Sequence, residues 1–378
     1  MGVILEPLLW CVKYRPKNWD EFIGQEQAIS QLKSQVQSNT LTNMIFYGPS
    51  GTGKTAAAEL FSKAILGDSY IANYKSLNIR DIWDMSMTDA KRSVQDLAKI
   101  SREKRTELDE YMSVIYREAQ TALKIKGRTS PPNRSQLLQE AIRFFASTVT
   151  VADEKVKILV LDEADALSYS MQQALRRTME LYSDACRFIL LTPSLSGWSP
   201  AVISRCSVLK FPSISDDKIA EHIRSIAKKE GVQIDDKSTK VIARESSGDM
   251  RRAINLLQIC ATANKTVTED IVYAHSDTPL TRSVRDIVTA TLDGSFREAR
   301  KMVRALIAID GYEPQEVLLE IERDLVKRPF TSDTLTKVLD RIAEIDFRIL
   351  QGKNSFVHLA ALLASVGDYV HESTQNMG

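Results

Sequence analysis

The chain has 378 residues, 43% of them hydrophobic and 26% charged, and 50 basic against 49 acidic residues give a net charge of +1. This length predicts two or three domains rather than one core, and no apolar stretch is long enough to cross a bilayer, so we expect no membrane partner. The balanced charge gives no support for nucleic-acid binding by itself, and four widely separated cysteines favour a cytoplasmic protein over a zinc module or a disulfide framework.

The first clear motif is a glycine-rich loop between a predicted strand at residues 44–47 and a predicted helix at residues 56–66. The loop fits the phosphate-binding pattern G-x-x-x-x-G-K-[ST], in which the lysine reaches the β and γ phosphates and the hydroxyl binds Mg²⁺. A simple glycine-rich turn is the alternative. The predicted nucleotide contacts are Gly48, Pro49, Ser50, Gly51, Thr52, Gly53, Lys54, Thr55 and Ala56.

A strongly charged segment, residues 86–128, interrupts the alternation of strands and helices and is followed by a loop that ends at Asn133. Its charge and low glycine content predict a solvated helical insertion at about residues 86–133. An arm that contacts a partner or DNA is the alternative.

The strand predicted at residues 157–161 ends in Asp162 and Glu163. An acidic pair that follows a buried strand, about a hundred residues after a phosphate loop, is typical of the second half of an ATPase site. Asp162 is expected to support Mg²⁺, and Glu163 to orient or activate the attacking water.

Arg176 and Arg177 lie side by side on the helix predicted at residues 172–180. They are either ordinary surface arginines or contacts to a phosphate backbone, for which arginine has suitable bidentate geometry. Arg251, on the first turn of a later helix, could reach back to a nucleotide, and the alternative is a solvated arginine beside an acidic cap.

Arg205 stands before a strand predicted at residues 208–211, where Val202, Ile203 and Val208 are expected to be buried. An arginine in such surroundings needs an anionic partner. The γ-phosphate of a nucleotide on a neighbouring subunit is one such partner, and an arginine finger of this kind accelerates hydrolysis.

The rest of the chain reads as helical after a break at Pro212. Ser215 is expected to cap a helix, with further helices at residues 237–246 and 249–263. Beyond residue 280 the pattern predicts five helices and no catalytic cluster, which is typical of an assembly domain. The expected helices span residues 283–292, 296–309, 314–327, 332–350 and 357–371.

These motifs together resemble the small subunits of replication factor C, the AAA+ clamp loaders of archaea and eukaryotes. Residues 10–16 and 22–26 are similar to the family's opening box, which cradles adenine, and the other motifs follow in the family's order. The altered stretch at residues 77–81 and the insertion resemble the divergent second type of small subunit found in some archaea.

The resemblance implies an AAA+ P-loop domain with a parallel sheet at residues 1–212, a small helical lid at 213–280 and an all-helical collar at 281–378. It implies an ATPase that uses ATP and Mg²⁺ to open a PCNA-type sliding clamp and place it on primer–template DNA. The implied partners are the other subunits of a hetero-pentamer that includes a large subunit, in the archaeal cytosol or nucleoid.

The resemblance also implies roles for single residues. Thr55 and Asp162 hold Mg²⁺, and Glu163 orients or activates the attacking water. Arg205 acts in trans on the neighbouring subunit's ATP, and Arg251 is the sensor in the lid. Arg176 and Arg177 track DNA. The contacts implied on the adenine side are Val12, Tyr14, Arg15 and Ile23.

One departure suggests a second reading. Pro193 stands near the family's asparagine that senses the γ-phosphate, and proline offers neither a side-chain donor nor an N–H. Thr192 or Ser194 could substitute for it. The alternative function is therefore a subunit of the same loader that binds ATP, hydrolyses it weakly and supplies Arg205 in trans.

A third reading, another AAA+ machine such as a branch-migration helicase, predicts a C-terminal winged helix instead of a collar.

Overall fold

The computed structural model describes residues 9–38, 41–84, 107–125, 127, 130–148, 156–263, 265–276, 279–352 and 354–375. Residues 86–106 of the predicted charged insertion lie outside them. The chain divides into two compact units, Met1–Glu269 and Asp270–Gly378. The predicted boundaries at residues 212 and 280 stay a prediction.

A five-stranded, fully parallel sheet forms the centre of the first unit, which confirms the predicted α/β architecture. Its order is β2-β3-β4-β1-β5, so β1 and β3 flank β4 and all carboxyl ends meet at one edge. The strands are β1 Asn43–Tyr47, β2 Tyr74–Asn78, β3 Lys157–Asp162, β4 Cys186–Thr192 and β5 Cys206–Lys210.

Alternate strand residues face two separate hydrophobic layers. In β3, Leu159 and Leu161 join the layer on one face, whereas Ile158 and Val160 join the layer on the other. Both layers exclude solvent from β3, as expected for a parallel strand covered by helices on both sides.

One helix of the first unit lies within the predicted insertion, and another begins directly after it. The helix that follows Asn133 begins with a capping box, in which the side chains of Asn133 and Gln136 each accept a hydrogen bond from the other's backbone N–H. The helices are α1 Trp10–Lys13, α2 Glu26–Ser38, α3 Lys54–Leu66, α4 Tyr70–Asn73, α5 Ile79–Asp84, α6 Glu107–Ile125, α7 Arg134–Ser147, α8 Tyr169–Leu181, α9 Pro200–Ile203, α10 Asp216–Lys229, α11 Asp236–Ser246 and α12 Met250–Ala263.

The lid region differs from expectation in two details. Ser215 immediately precedes α10, but its hydroxyl makes no capping hydrogen bond. A parallel pair of two-residue strands, β6 Gln233–Ile234 and β7 Thr266–Val267, was not expected, because strands this short carry no periodic pattern.

The second unit is helical, as predicted, and its helices bury one continuous core. Val284, Val303, Ile321, Val338 and Leu362 each contribute to it from a different helix. No helix in the described part of the chain is long and apolar enough to cross a membrane. The helices are α13 Glu269–Ser276, which begins at the unit boundary, α14 Pro279–Leu292, α15 Phe296–Ala308, α16 Pro314–Val326, α17 Ser332–Gln351 and α18 Ser355–Gln375.

Candidate functional site

The phosphate loop connects β1 to α3 at the carboxyl edge of the sheet. Gly51 (φ +66°) and Gly53 (φ +96°) have left-handed backbone conformations, which glycine adopts without steric cost. A Cβ at Gly48 would lie 1.8 Å from the Phe211 carbonyl oxygen. Because α3 begins at Lys54, its free N–H groups and the positive end of its dipole face the loop, which suits an anion.

Lys54 and Thr55 connect this loop to β3. The Lys54 Nζ donates to the carbonyl oxygens of Gly48 and Pro49 at 2.6 and 2.7 Å. Burial lowers the pKa of Lys54, and the nearby Asp162 carboxylate opposes this shift. The Thr55 Oγ1 donates to Asp162 Oδ2 at 3.0 Å, so the loop cation, a hydroxyl and a carboxylate lie together.

The donor set fits Mg²⁺ bound together with a triphosphate. No described group of three or more His, Cys, Asp or Glu side chains could hold a metal alone. Mg²⁺, however, usually takes only one or two protein oxygens and completes its shell with phosphates and water. Thr55 and Asp162 offer a pair of such oxygens beside the loop.

Glu163 follows Asp162 in the left-handed conformation (φ 51°) that non-glycine residues rarely adopt. Its N–H donates to Asp162 Oδ1 at 2.9 Å. Its carboxylate Oε2 lies 3.5 Å from Arg80 Nε, and Arg80 Nη2 lies 2.8 Å from Asp165 Oδ2. The sequence reasoning missed Arg80 as a site residue, although its place after β2, the neighbour of β3, was a signal.

The lid contacts the phosphate loop through Asp249. Asp249 Oδ2 accepts a hydrogen bond from Ser50 Oγ at 3.1 Å, while Oδ1 accepts one from the Arg252 N–H at the start of α12. Arg251, on the same turn, is exposed and close enough to Lys54 to help lower the pKa of that amine. Asp249 is a second residue that the sequence reasoning missed.

The opening box packs on the lid and on α3. Tyr14 Oη donates to Glu230 Oε1 at 2.5 Å, and Arg15 Nη2 lies 2.7 Å from Glu59 Oε2. Val12 is exposed and Ile23 half-buried. The structure therefore brings this segment to the lid and to α3, where Tyr14 and Arg15 respectively already have partners.

The position of the predicted γ-phosphate sensor is occupied by an exposed proline, Pro193. The hydroxyl of Thr192, the last residue of β4, is buried, donates to the Ser194 carbonyl at 2.8 Å and accepts from Trp198 Nε1 at 3.2 Å. Thr192 is thus a poor substitute sensor, since its hydroxyl already has two partners, whereas Ser194 is exposed.

Arg205 has an anionic partner within its own chain, whereas a nucleotide phosphate was the partner suggested by the sequence. Its Nη2 lies 2.6 Å from Glu180 Oε1, and its side chain is 33% exposed. Val202 is buried as expected, but Val208 is exposed. The apolar surroundings from which an anionic partner such as a nucleotide phosphate was inferred are therefore only partly present.

Arg176 and Arg177 lie on α8. The Arg176 Nε donates to Glu180 Oε1 at 3.1 Å, one turn along the helix, and Arg177 is exposed. The pair is available at the surface, but the roles of these and the other predicted site residues stay predictions.

Three family models match successive parts of the chain. Residues 24–215 match "DNA polymerase III, delta subunit", residues 221–262 match "RCF1/5-like, AAA+ ATPase lid domain", and residues 279–365 match "Replication factor C C-terminal domain".

Curated relatives match nearly end to end. The replication factor C small subunit of Haloarcula marismortui is 32% identical over 95% of this chain and 94% of its own length. That of Methanocella arvoryzae is 31% identical over 95% and 96%. Replication factor C small subunit 1 of Pyrobaculum islandicum is 29% identical over 95% and 94%.

Among solved structures, the RuvB Holliday junction branch migration motor of Thermotoga maritima is similar over 81% of this chain and 91% of its own at 16% identity, with a TM-score of 0.46.

Proposed function

Because this chain belongs to the replication factor C small-subunit family, we propose that it is an ATP-hydrolysing subunit of a clamp loader. The observation that carries the proposal is the hydrogen bond between Thr55 and Asp162. It joins the phosphate loop to the acidic end of β3, so the hydroxyl and carboxylate that would hold Mg²⁺ meet beside Lys54.

The ligands of this site are ATP and Mg²⁺ under the proposal. Lys54, which now donates to two loop carbonyls, would turn its amine to the β and γ phosphates, and Thr55 and Asp162 would hold the metal. Bound Mg²⁺ neutralises charge on the transferred phosphoryl group. Glu163 would orient the water and accept its proton, and Arg251 would contact the phosphates from the lid.

The proposed partners follow from the family and from two arginine sites. Arg205 would act on the nucleotide of a neighbouring subunit, and Arg176 and Arg177 would contact the backbone of primer–template DNA. The substrate complex is a PCNA-type sliding clamp, loaded by a hetero-pentamer with a large subunit in the cytosol. The small-subunit relatives favour this reading over a branch-migration helicase, because residues 279–365 match the replication factor C C-terminal domain.

A hydrolysing subunit is favoured over the weakly hydrolysing alternative, since Asp162 and Glu163 both stand at the end of β3 and the relatives match over nearly the whole chain. The test compares Lys54→Ala with Arg205→Ala in the reconstituted complex, by ATP hydrolysis stimulated with clamp and DNA. We expect Lys54→Ala to remove the share of one ATP site, and the chain alone to hydrolyse ATP slowly because it lacks a neighbour's arginine.

Two outcomes would contradict the proposal. A Lys54→Ala complex with full activity beside an inactive Arg205→Ala complex would indicate the weakly hydrolysing alternative. Full activity in both variants, each shown to be incorporated into the complex, would remove this chain from the ATPase cycle.

A further inference from the structure

The guanidinium of Arg205 is held on two sides by its own chain. Nε donates to Glu180 Oε1 at 2.8 Å, and Nη2 lies 2.6 Å from the same oxygen. On the other side Nη1 donates to the Ala201 carbonyl at 2.6 Å and, at 3.3 Å, to the Ser204 hydroxyl. A guanidinium has five N–H donors. Among the residues that the structure describes, one N–H of Nη2 has no such partner. The longer hydrogen bond of Nη1 goes to the neutral Ser204 hydroxyl, which a phosphate oxygen can replace. Such a pair of donors can take a phosphate in bidentate fashion.

Glu180 also binds a second arginine. Arg176 Nε donates to Oε1 at 3.1 Å, so donors from Arg176 and Arg205 converge on one carboxylate oxygen. The two arginines lower the pKa of Glu180, with the hydrogen bond from Arg176 making the largest contribution. The carboxylate therefore stays ionised and joins the two side chains.

The place of Glu180 is unfavourable for a carboxylate apart from these contacts. It lies in the last turn of α8, where the negative end of the helix dipole disfavours an anion. Its side chain is 44% exposed, and exposed ion pairs contribute little to stability. Orientation of the arginines explains the arrangement better than stability does.

We propose that Glu180 is a positioning residue for Arg205. It holds the guanidinium so that one N–H of each terminal nitrogen faces the nucleotide of a neighbouring subunit. It also links Arg205 to a DNA contact at Arg176. The inference rests on the proposed function. When Arg176 turns to a DNA phosphate, the charge of Glu180 acts on Arg205 alone, and a charge-assisted hydrogen bond without a competing donor is stronger. DNA binding would thus tighten the hold on Arg205.

The test is Glu180→Gln in the reconstituted complex, with hydrolysis confined to the ATP site that Arg205 faces by inactivating the other phosphate loops. We expect kcat at that site to fall about tenfold, the effect of loosening one catalytic orientation, with KM for ATP unchanged. Glu180→Asp, which keeps the charge, should restore part of the rate. In an Arg205→Ala background, Glu180→Gln should cause no further loss.

The DNA link has its own double-mutant cycle. At saturating DNA, where the loss of one phosphate contact no longer limits binding, Arg176→Gln should reduce the stimulation of hydrolysis by DNA. The same substitution in a Glu180→Gln background should reduce it no further. Independent, additive losses would overturn the link.

Glu344 provides a matched control. It also contacts two arginines, Arg341 and Arg348, and is 43% exposed, but it lies on α17 in the second unit. Glu344→Gln should leave kcat and DNA stimulation unchanged. If Glu180→Gln behaves like this control while Arg205→Ala abolishes hydrolysis, the positioning role is wrong and the proposed function stands. If Arg205→Ala itself has no effect on hydrolysis, the proposed action of Arg205 on the neighbouring subunit's nucleotide is wrong, and the positioning role of Glu180 is wrong with it.

Discussion

At the scale of single residues, Lys54 shows how charge is balanced in the phosphate loop. Burial favours the neutral amine and lowers its pKa, whereas the carboxylates of Asp162 and Asp249 favour the ammonium. A bound triphosphate, like these two carboxylates, would favour the ammonium form of Lys54. Under the proposed function, the same lysine would exchange two loop carbonyls for a phosphate without leaving its anionic surroundings.

His222 gives a pH prediction at the same scale. Burial, assisted by Lys229, lowers its pKa below the ordinary 6.5. Between the two pKa values of this histidine, the unfolded chain binds more protons than the folded chain. The histidine therefore reduces the free energy of unfolding as the pH falls from 6.5 through the folded-state pKa. Above pH 6.5 it has no such effect. Thermal unfolding across this range should show a smaller acid-side loss for His222→Asn than for the natural chain. An identical slope in both would contradict the assignment.

At the scale of elements, the phosphate loop and the start of α12 form one packed unit. A Cβ at Gly51 would lie 1.7 Å from Asp249 Oδ1, and φ at Gly51 is +66°. Gly51→Ala should therefore weaken nucleotide binding and lower Tm by more than backbone strain alone, which costs about 1 kcal/mol.

Gly197→Ala is the matched control, because Gly197 also has positive φ (+80°) but has no atom of the described residues within 4 Å of an added Cβ. Calorimetry of both variants, with and without ATP, separates the contact from the strain. Equal shifts in Tm would mean that the Asp249 contact is not needed for the loop.

The elements that the sequence predicted well are those with local signals. The loop after β1 and the acidic end of β3 each lie within a few consecutive residues, so pattern and chemistry coincide. Contacts across long separations were missed: Ser50 and Asp249 are 199 positions apart, and Arg205 and Glu180 are 25 apart. The exposure of Val208 was also missed, because burial on a sheet edge depends on which helices cover it, and no local pattern states that.

At the scale of the whole molecule, each of the two compact units has its own hydrophobic core. All four tryptophans, at positions 10, 19, 83 and 198, belong to the first unit, whereas the second is helical. Tryptophan fluorescence therefore reports the first unit, and far-ultraviolet circular dichroism reports both. We expect the two denaturation curves of the full chain not to coincide.

Ile321→Ala tests this separation, because Ile321 is fully buried in the second core. The substitution should cost about 2–5 kcal/mol and shift the circular dichroism transition while the fluorescence transition stays in place. Equal shifts of both curves would show that the chain unfolds as one cooperative body.

All four cysteines are free, and three of them lie in surroundings that disfavour the thiolate. Burial raises the pKa of Cys186 and Cys206 to about 12 and that of Cys260 to about 11, so these three thiols resist alkylation. Cys11 is half-buried, as is Cys206, but it is not one of these three thiols. It lies on α1, the helix whose Trp10 N–H donates to Gln258 of the lid. A maleimide dye would thus attach at the opening box of the natural sequence, where its emission could follow the lid through a round of nucleotide exchange.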